Sequence, residues 1–101
     1  MFPPEDHPVT PVLRRIGDRW SMVVVCLLHQ RPHRYNELRR EITGISQRML
    51  TYTVRGLEDE GYVERTVFPT VPPGVEYALT ERGRDLVSSM LPLLRWANNA
   101  P

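Results

Sequence analysis

Two amphipathic patterns of helical period meet across a gap that only a tight turn can bridge. Tyr35, Leu38 and Ile42 recur at spacings of three and four residues and predict a helix of about two turns. Gly44 closes it, because a residue without Cβ readily enters the left-handed region that ends many helices. Ser46 follows as a cap for the next helix, and Ile45 stands where it can pack on Leu50 as a hydrophobic staple. That second helix spans Ser46 to Glu60 and ends at Gly61. Leu50, Val54 and Leu57 fall on one face, while Arg48, Thr51, Tyr52 and Arg55 share the other. Two short helices are thus held at a fixed turn, with apolar stripes to bury and a long-armed polar face turned outward.

The flanking segments supply the surfaces that bury those stripes. Thr10 before Pro11 predicts a helix start, and Gly17 its end. Asp18 caps the next segment, which carries Trp20 and the run Met22 to Leu28 to a stop at Pro32; periodicity alone leaves helix or buried strand open there. Val63 to Phe68 and Val75 to Leu79 read as strands of a hairpin around a Pro69 to Gly74 loop. Thr80 then caps a last helix, whose Leu86, Val87, Met90, Leu91, Leu94 and Trp96 make an apolar surface broader than one core stripe needs. Pro92 is expected to interrupt and kink it. The fold class is mainly α with a small β-hairpin. Residues 1–9 read as an arm, 10–97 as the domain and 98–101 as a tail.

A length of 101 residues with 41% hydrophobic content suits one compact domain with one core. The net charge of +1 conceals a patch, since every basic residue is Arg and Arg31, Arg34, Arg39, Arg40, Arg48 and Arg55 face only Glu37 and Glu41 over the same stretch. Arg favours planar contacts to phosphate and guanine. No nucleophile beside a base, paired catalytic carboxylates or Gly-rich phosphate loop appears, so an enzyme is not expected. His29 and His33 are separated by Pro32, which breaks the helix that would align them, and with His7 and Cys26 they form no ligand set; we expect no metal and no cofactor, and solvated or capping histidines. The single Cys26, inside an apolar run, is expected to be an inert core thiol. Without a disulfide framework, signal peptide or membrane-length apolar run, a cytoplasmic location fits.

The order helix, helix, helix, tight turn, helix, hairpin, helix is that of a winged helix-turn-helix. Its motifs are Ile16-Gly17-Asp18-Arg19-Trp20, Arg34-Tyr35-Asn36-Glu37-Leu38-Arg39-Arg40, Gly44-Ile45-Ser46-Gln47-Arg48-Met49-Leu50, Leu57-Glu58-Asp59-Glu60-Gly61-Tyr62-Val63-Glu64-Arg65 and Val71-Pro72-Pro73-Gly74-Val75-Glu76-Tyr77-Ala78-Leu79-Thr80. From about Pro8 to Trp96 the chain resembles the HxlR-type regulators. The resemblance implies a homodimer joined through its N-terminal and C-terminal helices, acting as a repressor on double-stranded operator DNA with one half-site per subunit. It makes Ser46 to Glu60 the recognition helix, Tyr35 to Ile42 the positioning helix and Pro69 to Gly74 the wing.

On that assignment Gln47, Arg48, Thr51 and Tyr52 reach base edges, with Arg48 suited to a bidentate guanine contact. Ser46, Arg34, Arg39, Arg40 and Arg55 suit phosphates. Ion pairing of Arg39, Arg40 and Arg55 with Glu37, Glu41, Glu58 or Asp59 is the competing assignment, as a cap alone is for Ser46. Two positions depart from the family. Many relatives carry a cysteine before the first helix, which in some members senses oxidants or electrophiles, where this chain has His7, Pro8 and Val9; and the wing position often held by Arg is Gly74, so a wing contact to the minor groove is expected to be weak or missing. Rival readings are a metal- or small-molecule-responsive regulator, with an effector pocket around Trp20, Met90, Leu94 and Trp96, and a protein-interaction module whose basic face meets an acidic partner.

Overall fold

The computed structural model describes residues 6–99; the first residues of the expected arm and the last of the tail lie outside them. Helix α1, Val9–Gly17, leads into α2, Arg19–Gln30, and Asp18 caps the second by accepting a hydrogen bond from the amide of Ser21. Here the helical alternative for the Met22 to Leu28 run holds. Val24, Val25 and Leu28 are buried, but a helix turns about 100° per residue, so its other apolar side must face outward. That side carries Met22, Val23, Cys26 and Leu27, and Cys26 is exposed rather than a core residue.

A two-residue strand β1, His33–Arg34, precedes α3, Tyr35–Glu41, and α4, Gln47–Asp59. Strands β2, Val63–Phe68, and β3, Gly74–Leu79, form the hairpin, and α5, Glu81–Asn98, closes the chain. The sheet is three-stranded and antiparallel in the order β1-β3-β2, one strand more than the hairpin expected from the sequence. A segment as short as β1 has no period to detect. Its register pairs His33 with Tyr77, which puts the imidazole on the core side. His33 is therefore 1% exposed, not solvated; its Nδ1 faces the Arg31 carbonyl at 2.8 Å and its Nε2 lies 2.7 Å from Glu41 Oε2, in a direction that is not a hydrogen bond's.

One core joins the layers. Leu38 of α3, Leu50, Val54 and Leu57 of α4, Tyr77 and Leu79 of β3, and Leu86, Val87 and Met90 of α5 close around the buried face of α2. Thr53 is buried with them, its hydroxyl without a hydrogen-bond partner. Three sequence expectations shift by local chemistry. Helix α1 begins at Val9 with Pro8 in the cap position, so Thr10 is not its cap; the Val9 amide instead donates to His7 Nδ1 at 3.0 Å, and Pro11 is tolerated because first-turn amides need no intrahelical partner. Gly74 belongs to β3, paired with Phe68, rather than to the wing loop. Pro92 does not interrupt α5, which continues to Asn98 and leaves Leu93, Leu94 and Trp96 exposed beyond it.

Candidate nucleic-acid interface

The turn between α3 and α4 builds the site. Gly44 takes φ 88°, and Ser46 turns back to accept a hydrogen bond from the Met49 amide at 3.0 Å, so α4 begins where the sequence places it. Burial of Leu50, Val54 and Leu57 fixes the rotation of α4 about its axis. Gln47, Arg48, Tyr52 and Arg55 are consequently exposed, Tyr52 to 74%, and Thr51 is half-buried between them. Ser46, Gln47, Arg48, Thr51, Tyr52 and Arg55 line one shallow depression together with Met49, Gly56 and Arg15, and with Asp59 and Glu60 at its far end. Arg34 and Arg40 line a separate groove between α3 and the wing, alongside Asn36, Pro72 and Pro73. Arg39 is exposed in the last turn of α3 and lines neither surface.

Tyr35 links the two helices, a role that its place in an apolar stripe conceals. Its hydroxyl donates to the Gln47 carbonyl at 3.1 Å and lies 3.0 Å from Thr51 Oγ1, which must then be the donor of that pair because Tyr35 has one proton to give. Thr51 is thus held in place by α3, with oxygen lone pairs left to accept.

Glu37, Glu41, Glu58 and Glu60 are already engaged, whereas Asp59, which lines the same depression, is in no ion pair among the described residues. Arg31 lies 3.3 Å from Glu37 and 3.9 Å from Glu41, Arg65 lies 3.7 Å from Glu58, and Arg15 binds Glu60. Glu37 Oε1 also accepts from the Arg34 amide at 2.8 Å; that hydrogen bond and the neighbouring Arg31 hold the Glu37 carboxyl below its ordinary range. Among the described residues Arg34, Arg39, Arg40, Arg48 and Arg55 form no ion pair, so the pairing considered for Arg39, Arg40 and Arg55 is not formed. Their cations remain available to an outside anion.

Behind the site, Arg15 connects α1, the α2 cap and the end of α4. It donates from Nε to Glu60 Oε1 at 3.1 Å and from a terminal nitrogen to Ser21 Oγ at 2.9 Å, and its other terminal nitrogen pairs with Glu60 Oε2. The bond to Glu60 raises the Arg15 pKa above its already high value. Gly56 makes room, since a Cβ there would lie 2.9 Å from the guanidinium. A glycine inside a helix followed by an acidic end was the available signal.

Comparison with known proteins follows the same lines. Residues 15–100 match the HxlR-like helix-turn-helix family. The chain is 36% identical over 92 residues to the uncharacterized HTH-type transcriptional regulator YtfH of Escherichia coli K12, covering 91% of this chain and 73% of that one. Among solved structures it is similar to the reduced form of the transcriptional regulator YodB from B. subtilis, with TM-score 0.83 and 33% identity over 91% of each chain. It is also similar to the redox regulator HypR in its oxidized form, with TM-score 0.81 and 40% identity, covering 94% of this chain and 98% of that one.

Proposed function

The chain belongs to the HxlR-like helix-turn-helix family of transcriptional regulators, not enzymes, and from that premise we propose that it is a sequence-specific repressor that binds operator DNA as a homodimer. The observation that carries this reading is the set of unpaired arginines on and beside α4. A cation left without a carboxylate, while Glu37, Glu41, Glu58 and Glu60 are taken by Arg31, Arg65 and Arg15, is poised for phosphate or base. Arg48, with Gln47, Thr51 and Tyr52, reads base edges in the major groove, and Arg48 pairs with guanine. Ser46, Arg34, Arg39, Arg40 and Arg55 hold the backbone and set affinity.

The homodimer is supported by apolar surface that this chain does not cover itself. Leu91, Leu93, Leu94 and Trp96 of α5 are exposed, as is Leu13 of α1, and such surface marks an association site. Two subunits would present two α4 helices to successive half-sites. The test is fluorescence anisotropy of labelled duplexes, selected from a random library and scrambled, at two salt concentrations. We expect two chains per selected duplex and, for about 6 to 10 phosphate contacts, a loss of about 10³ to 10⁵ in affinity between 50 and 200 mM salt. Binding that ignores both sequence and salt contradicts the reading.

A further inference from the structure

The wing has a cation that is not its own. Its tip, residues 69–73, reads Pro69-Thr70-Val71-Pro72-Pro73 and contains no ionisable side chain. A loop so composed has no charge to offer a phosphate, and its one hydroxyl, on Thr70, donates to the Pro72 carbonyl at 2.8 Å. Arg34, however, comes to it from the neighbouring strand. In the sheet order β1-β3-β2, Arg34 pairs with Glu76 and Phe68 pairs with Gly74, so Arg34 and Phe68 stand diagonally across β3 on one face of the sheet, with Gly74 beneath the line between them. The Arg34 guanidinium crosses that gap and stacks over the Phe68 ring, 5.1 Å from its centroid. A Cβ on Gly74 would lie 2.2 Å from one of its terminal nitrogens. Gly74 opens β3, and the absence of its Cβ is what permits this approach.

We propose that Gly74 and Phe68 are positioning residues that make Arg34 the wing's DNA-contacting cation, directed at a backbone phosphate beside the groove that α4 enters. This rests on the duplex-binding reading above. The guanidinium keeps its charge while stacked, because Phe68 offers a π face and no carboxylate pairs with Arg34 among the described residues. Its amide, tied to Glu37, anchors the base of the side chain. Arg40 lines the same groove, as does Glu37, whose carboxylate is taken by Arg31 and the Arg34 amide.

The experiment is the salt dependence of duplex affinity for wild type, Arg34→Gln, Gly74→Ala, the double variant, Phe68→Leu and Phe68→Tyr, each first checked for folding by circular dichroism and thermal denaturation. Gly74 lies outside the left-handed region, and the side chain it would strike is a flexible one, so alanine displaces Arg34 without unfolding the hairpin. The expected result is that Arg34→Gln and Gly74→Ala each reduce the slope of log affinity against log salt by about 0.9 per bound subunit, with no further change in the double variant. Phe68→Leu moves toward the same value, and Phe68→Tyr retains the wild-type slope. If Arg34→Gln lowers the slope while Gly74→Ala does not, Arg34 needs no gap and the inference is overturned. An unchanged slope for Arg34→Gln in a protein that binds duplex normally overturns it as well and leaves the proposed function standing. Absence of salt-dependent duplex binding by the wild type defeats both.

Discussion

At the scale of single residues, short-range chemistry decides what the sequence discloses. Thr80 accepts from the Gly83 amide at 3.1 Å, as its place before Glu81 implies, but the reason for Gly83 itself lies elsewhere in the chain. A Cβ there would lie 2.2 Å from the Tyr62 carbonyl oxygen, so α5 leaves the sheet closer to the backbone of the preceding turn than any other residue permits. Gly83→Ala is predicted to cost about 1 to 3 kcal/mol by overpacking. Urea denaturation reads this as a lower midpoint, and an unchanged midpoint contradicts the contact. The caps Asp18, Ser46 and Thr80 were legible because each bonds within its own first turn. His33 and Cys26 were not: the first is buried by pairing with a strand more than forty residues away and the second exposed by the rotation of α2, and neither fact is local.

At the scale of elements, the helices other than α2, whose apolar run fits helix or buried strand, were readable from period and punctuation, whereas their mutual arrangement depends on contacts with no sequence signature. Helix α4 is set against α1 by Arg15, whose guanidinium packs on Gly56 and binds Glu60. Arg15→Ala is predicted to lower stability by about 1 to 2 kcal/mol, the worth of charged hydrogen bonds reduced for the exposure of Glu60. Glu60→Gln retains one hydrogen-bond acceptor and should cost less. Thermal denaturation at low salt distinguishes the two, and equal, negligible losses would show that Arg15 is not what holds α1 to α4. β1 escaped detection for a related reason: two residues acquire strand character only when Tyr77 and Glu76 are beside them. Gly74 likewise looks like turn chemistry until Arg34 is seen to occupy the space above it.

At the scale of the molecule, the described chain is elongated. Its radius of gyration is 14.9 Å, above the roughly 13 Å of a compact domain of about 100 residues, and its extents are 53 × 34 × 24 Å. Helix α5 accounts for this by running past the core, with Leu93, Leu94 and Trp96 exposed beyond Met90. No helix among the described residues is long and apolar enough to cross a membrane. The excess of apolar residues in this helix was visible in the sequence; which of them the core would take was decided by the reach of α2 and β3. The same overall arrangement leaves α4 on the surface with Arg48 in its first turn, exposed and unpaired. The claim that α4 reads DNA sequence through Arg48 is tested most directly by measuring the affinity of Arg48→Ala for a selected duplex and for a scrambled one. The account predicts a loss of about 1 to 3 kcal/mol on the selected duplex, with relaxed preference at one base position and little change on the scrambled one; an equal loss on both would make Arg48 a backbone contact and contradict it.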